Sequence, residues 1–181
     1  MDGTEFGRLM GQGTEALGKK LGVKRIPTTK SQAISAYEPR NSQVTGATFA
    51  TSPMGADHTA GMAMMPNSDQ QTKVMRITMS GRMQANMCLS DNLMCMFGFM
   101  PASGDPTILP GLFAGAFGGE WTMPQISKIG TDTLDMERAF NKGAGWTDRD
   151  NVLPEFFYKE PAPSTGAVFD LTAKDLADTF K

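Results

Sequence analysis

From residue 70 to residue 96 the chain contains no proline and a single glycine, Gly81. Met75, Met79, Met83 and Met87 recur every four residues within it, a spacing that lays one apolar ridge along a helix face. The stretch predicts one long helix over 70–96, and a helix of that length must bury its apolar side against other elements. Toward its end Cys88, Asp91 and Cys95 stand three, four and seven residues apart, so helical geometry brings all three to nearly one face. Seven residues at about 1.5 Å rise separate the cysteines by roughly 10 Å along the axis, too far for a disulfide between them. Spacing alone leaves two readings open. Buried cysteine and methionine commonly fill irregular core space, and the same residues can also serve as ligands to a group that arrives from elsewhere. His58 beside Asp57 is equally divided between a loop histidine satisfied by its neighbour and a working imidazole. A complete zinc site wants four ligands, usually in closely spaced pairs, and this chain does not offer them.

The remaining composition narrows the function classes. At 181 residues the chain can form one sizeable core, or one domain with a tail. The division is expected after residue 165, with 1–165 as helical domain and 166–181 as a short C-terminal helix or tail. A formal charge of −2 with 20% charged residues argues against a nucleic-acid partner. No apolar run reaches the length of a membrane span, and Met1 is followed by polar residues instead of a signal peptide. Two cysteines that cannot pair locally point to a reducing, cytoplasmic setting. Fifteen methionines and twenty glycines suit a surface that closes around a large flat ligand or another domain, or equally a plain core with loops.

Other stretches also read as helices. Residues 4–21 carry Phe6, Leu9, Met10, Leu17 and Leu21 at near-helical spacing, with Gly22 as a stop. Residues 41–52 predict a short helix capped by Asn41 or Ser42 and ended by Pro53, which leads into the glycine-flanked loop around His58. Residues 62–71 read as an exposed loop and 101–106 as a break between two prolines. Residues 107–118 are apolar on most sides, which predicts a buried helix. Residues 121–142 give the next strong helix, followed by a charged turn at 147–150 and an extended passage from Leu153 to Thr165. Residues 170–181 end the chain in a short helix capped by Asp170 or Thr172. No alternating strand is evident. The fold class is all-α, an irregular multi-helix domain with long loops.

Four segments, in order, resemble the C-terminal part of the tungsten-containing aldehyde:ferredoxin oxidoreductase family. They are Ala36-Tyr37-Glu38-Pro39-Arg40; Ala50-Thr51-Ser52-Pro53-Met54-Gly55-Ala56-Asp57-His58; the helix ending at Cys95; and Glu137-Arg138-Ala139-Phe140-Asn141 followed by Gly145 and Asp150-Asn151-Val152-Leu153-Pro154. The resemblance covers residues 4–163. It implies a helical domain that, with a second helical domain and an N-terminal β-rich one, encloses a tungsten (or molybdenum) bis-pyranopterin and a 4Fe-4S cluster. The implied reaction is oxidation of an aldehyde to a carboxylate, with electrons passing through the cluster to ferredoxin.

By the same resemblance Cys95 is the cluster ligand supplied from this region, and His58 is the histidine near metal and substrate. The family's Asp-x-x-Gly-Leu-Cys pattern, whose turn contacts the pterin, falls on Ser90, Asp91, Asn92, Leu93, Met94 and Cys95. Ser90 stands where the family has aspartate, Asp91 lies one later, and Leu93-Met94 replace Gly-Leu. The resemblance gives Cys88 no role. The family's other three cluster cysteines come from an upstream Cys-x-x-Cys-x-x-x-Cys run absent here. The chain is therefore expected to be roughly the last third of a full enzyme, inactive alone and completed by an N-terminal part or subunit. The alternatives are a relative that reduces acyl thioesters, and a non-catalytic helical remnant that binds a partner.

Overall fold

The computed structural model describes residues 3–65 and 68–181. Among them are nine α-helices and one two-stranded hairpin, so the fold is all-α. At its centre lies α3 (Gln43–Thr51), of which every residue is buried. Its composition is small and polar, and each polar group is answered. Thr48 and Thr51 donate back to the Val44 and Ala47 carbonyls, and Gln43 donates its amide to the Val168 carbonyl at 2.9 Å. Unsatisfied, such groups would cost about 1–3 kcal/mol each on burial. The Gly46 position accommodates Phe169, whose ring would lie 2.5 Å from an added Cβ.

Two long helices build outward from this centre. α4 (Lys73–Leu93) packs on α3, and α7 (Met123–Gly143) packs along α4. The α4–α7 crossing is close because Gly130 of α7 sits directly against the Ala85 carbonyl. Ala47, Phe49, Ala50, Ile77, Leu153, Phe157, Phe169, Leu171 and Leu176 form the main core. Burying an aliphatic or phenyl side chain of this kind contributes about 1.5–3 kcal/mol. The C-terminal segment belongs to this core, with Phe169 and Leu171 buried and α9 (Ala173–Ala177), capped by Thr172, placing Leu176 there. Buried Arg76 of α4 ties it down by donating to Asp170 at 2.7 Å and to Gln43.

Arg40 closes the opposite side. Its guanidinium makes a forked pair with Glu38 at 2.7 Å for both bonds, donates to the Glu160 carbonyl and lies over the Phe157 ring. The Glu38-Pro39-Arg40 segment is thus a clamp between α3 and α8 (Glu155–Lys159). A second apolar cluster, Leu89, Phe99, Leu109, Phe113 and Ile126, joins α4 and α7 to α5 (Met96–Ser103) and α6 (Ile108–Phe117).

Several sequence expectations are corrected. Residues 4–21 form two helices, α1 (Glu5–Met10) and α2 (Thr14–Lys20), because Gly13 adopts φ +94°, a conformation only glycine takes readily. The helix expected over 70–96 starts at Lys73 and stops at Leu93. Met94 is extended, and a new helix, α5, begins after Cys95 and carries Pro101 within it, where a break was expected. α6 is only half buried, with Leu112 and Phe117 exposed because neighbours cover one face. The passage after Leu153 contains α8. A short hairpin, β1 (Thr28–Thr29) and β2 (Gln32–Ala33), occurs where no strand was read. In the loop before α4, Ala63 and Ser68 are buried instead of exposed, and Ser68 Oγ accepts from the Val44 N–H at 3.2 Å. Pro66 and Asn67 of that loop lie outside the described residues.

Candidate functional site

His58 sits on a loop that leaves the C-terminus of α3 at Ser52. Gly55 has φ +78° and packs on the β1 backbone, where an added Cβ would come 2.8 Å from the Thr29 carbonyl oxygen. No other residue fits there without moving the hairpin. Asp57 is turned back into the loop and accepts from the N–H and hydroxyl of Thr59, both at 2.7 Å, and from Gln32 at 3.3 Å. Burial works to raise its pKa, but these hydrogen bonds and the neighbouring His58 hold the carboxyl below the usual aspartate value. His58 is half exposed, with Nδ1 3.9 Å from Asp57 and its ring 5.9 Å from that of Tyr37. The imidazole therefore has a fixed acidic neighbour on one side and open space on the other.

The end of α4 supplies the second element. Asp91 is exposed, and its carboxyl is pushed above the ordinary range by partial burial and by the charge of Asp57. Ser90, by contrast, is fully buried and turns its hydroxyl toward the Met94 carbonyl at 3.5 Å. Leu93 and Met94 are half buried and pack against the second apolar cluster.

Cys95 is exposed and occupies the N-cap position of α5, its carbonyl accepting from the N–H groups of Gly98 and Phe99. The shared helix face expected for Cys88, Asp91 and Cys95 is not formed, because α4 ends two residues before Cys95. Cys88 is buried, with Sγ 3.8 Å from Glu137 of α7. Burial, then the charges of Glu137 and Asp91, push its thiol up to about 12. Glu137 is itself raised above the usual glutamate value, chiefly by burial.

The two thiols should therefore separate in native-state alkylation. The thiolate is the reactive form, so a neutral alkylating agent at pH 8 should add one label per folded chain, on Cys95, and a second only in denaturant. Peptide mapping that finds native Cys88 labelled first would refute this placement.

α7 connects the elements. Gly130, Leu134, Glu137 and Asn141 fall four, three and four residues apart, and this stripe meets α4 and the His58 loop in turn. Asn141 donates to the Pro53 carbonyl at 2.8 Å. From the other side Lys30 donates to the Ala50 and Ser52 carbonyls at 2.7 and 3.1 Å. Burial brings the Lys30 ammonium down to about 8, opposed by Asp150. Reading the sequence assigned no role to Lys30, Gln32 or Asn141. The signal for Asn141 was its place in the Glu137–Asn141 segment. Pro53 and Asn141 also line an open cleft of about 440 Å³ with Lys30, Arg138, Lys142 and Trp146, but His58, Asp91 and Cys95 do not line it.

The structure is thus an all-α body with an exposed thiol at the start of α5 and a histidine loop held by α7 and the hairpin. Residues 1–180 match the family model described as aldehyde ferredoxin oxidoreductase, domains 2 and 3, and the chain belongs to that family. It is similar to the tungsten-containing aldehyde ferredoxin oxidoreductase of Pyrococcus furiosus, with 27% identity over 174 residues. With the protein of the same description from Pyrococcus horikoshii the identity is 24% over 173 residues. Each match covers 87% of this chain and 28% of the relative, so the chain spans under a third of their length. Among the described residues no helix is long and apolar enough to cross a membrane.

Proposed function

We propose that the chain is the C-terminal helical portion of a tungsten (or molybdenum) pterin aldehyde:ferredoxin oxidoreductase, completed by an N-terminal part or subunit that supplies the remaining cofactor ligands. The observation that carries this reading is the position of Cys95, an exposed thiol at the junction of α4 and α5, free for a bond to a group outside the chain. Among the described residues no three His, Cys, Asp or Glu side chains converge as a metal site. The exposed Cys95 thiol suits one corner of a 4Fe-4S cluster, which takes four thiolates, and in this reading the other three come from the partner.

When bound, the bis-pyranopterin metal supplies the two-electron chemistry that turns aldehyde and water into carboxylate. This chain's residues hold and orient. Asp91, exposed at the end of α4, hydrogen-bonds the pterin; Ser90 has its hydroxyl turned inward, and Leu93 and Met94 hold the turn by packing. His58 orients the aldehyde and carries a proton on its imidazole. Ferredoxin is the proposed electron acceptor, and two free cysteines suit the cytoplasm.

Co-expression with a partner bearing the Cys-x-x-Cys-x-x-x-Cys run tests the proposal. The complex should carry a 4Fe-4S cluster and reduce a viologen dye when given aldehyde, and the chain alone should do neither. A complex that forms without iron and oxidises no aldehyde would leave a non-catalytic helical remnant as the better account.

A further inference from the structure

We infer that Asn141 and Lys30 are positioning residues for His58, gripping the root of its loop from two elements, α7 and the β1–β2 hairpin. The inference rests on the proposed role of His58 at the substrate. Past the end of α3 the chain turns between Ser52 and Asp57, where the Gly55 and Asp57 N–H groups bond the Ser52 and Gly55 carbonyls, and side chains from other elements reach carbonyls at this root as well. Three are met by just two side chains. Lys30 takes those of Ala50 and Ser52, and Asn141 takes that of Pro53. Gln32 adds a bond to the Asp57 carboxylate beside the imidazole.

The origin of each residue matters as much as its bond. Lys30 and Ser31 form the two-residue turn of the β1–β2 hairpin, with φ of +50° and +65°. Such turns favour glycine or asparagine at these positions, and other residues there carry backbone strain. Lysine at that place brings an ammonium group to the last carbonyls of α3, where a cation is also favoured by the helix dipole. Asn141 lies four residues after Glu137 on the same face of α7, and Glu137 contacts Cys88 one turn before Asp91. One rigid helix therefore fixes both the histidine loop and the α4 terminus. A displacement of about 1 Å between such elements is enough to lower a reaction rate.

The chain offers its own reporter, because His58 is its one histidine and its imidazole signals need no assignment by mutation. NMR spectra of the isotope-labelled 181-residue chain would be compared for the parent, Asn141→Ala, Lys30→Met and Lys30→Arg. The Lys30 variants share the same turn backbone, and arginine retains a multi-donor cation. Asn141→Ala and Lys30→Met should shift or broaden the His58 signals and speed amide exchange at Gly55 to Asp57 by about tenfold or more, with the exchange of α4 and α7 unchanged. Lys30→Arg should recover most of the parent spectrum. In the assembled complex, Asn141→Ala should lower kcat by about tenfold or more at unchanged iron content. His58 signals and loop exchange identical to the parent in both disruptive variants would overturn the positioning role. If the NMR changes occur but His58→Gln leaves aldehyde oxidation intact, the assignment of His58 to the substrate fails instead.

Discussion

Gly130→Ala should lose about 3 kcal/mol or more of stability, at or above the upper end of overpacking penalties. A Cβ at this position would lie 2.1 Å from the Ala85 carbonyl oxygen and 2.8 Å from the Cβ of Leu89. Neither obstacle is the far end of a flexible side chain. The carbonyl belongs to the backbone of α4, so relief requires the whole α4–α7 pair to part, and Ile126 and Leu134 on the same face would lose their packing with it. The control is Gly115→Ala in α6, where nothing lies within 4 Å of the added atom. There alanine should add about 0.5–1 kcal/mol through helix propensity. Denaturant unfolding of the two variants beside the parent gives both numbers. Equal midpoints for parent and Gly130→Ala would mean that the helices are not in contact at this crossing.

The crossing also shows where sequence reading reaches its limit. α7 was legible because its apolar positions, among them Met123, Ile126, Ile129 and Leu134, keep a helical period, while the cap in which Gln125 accepts from the Thr122 backbone N–H at 2.9 Å emerged only in the structure. That Gly130 marks contact with α4 is invisible in one sequence, since a glycine inside a helix looks like a weakness. α3 presents the reverse case. Its bounds were predicted almost to the residue, yet its place as the buried hub was not, because glutamine, threonine and glycine do not announce burial. They become a core only when Arg76, the Val168 carbonyl and their own helix carbonyls satisfy them.

The same limit applied to the site. Met94 and Cys95 continue a helical pattern in sequence, but their backbone is extended, and this one departure moves Cys95 off α4 and out to solvent. Glycine at the corresponding turn would have signalled the break, and Leu93-Met94 concealed it. The clamp on the His58 loop was hidden for another reason. Lys30, Gln32 and Asn141 are brought to it from separate elements, the most distant 88 residues away in sequence.

That relocation sharpens the contrast between the two cysteines. In the proposed complex, Cys95→Ala should abolish the stable 4Fe-4S cluster and, with it, aldehyde-dependent electron transfer, because no second thiol stands at the α4–α5 junction to take its place. The folded chain itself should hardly notice the change, since an exposed N-cap thiol contributes little packing. Cys88→Ala should do the opposite. It removes a buried sulfur packed toward Glu137 and should cost about 1 kcal/mol, at the mild end of large-to-small core changes, while cluster and activity persist. Serine at the same two places refines the test. Cys95→Ser leaves a hydroxyl oxygen, a poor replacement for a thiolate at iron, so iron should still be lost. Cys88→Ser keeps a donor within reach of Glu137 and should be milder than alanine. Iron content, viologen reduction and unfolding midpoint, measured on all four variants, separate ligand from core residue. Should iron follow Cys88 and stability follow Cys95, the thiols have been assigned the wrong way round and the α4–α5 junction is not where the cluster meets this chain.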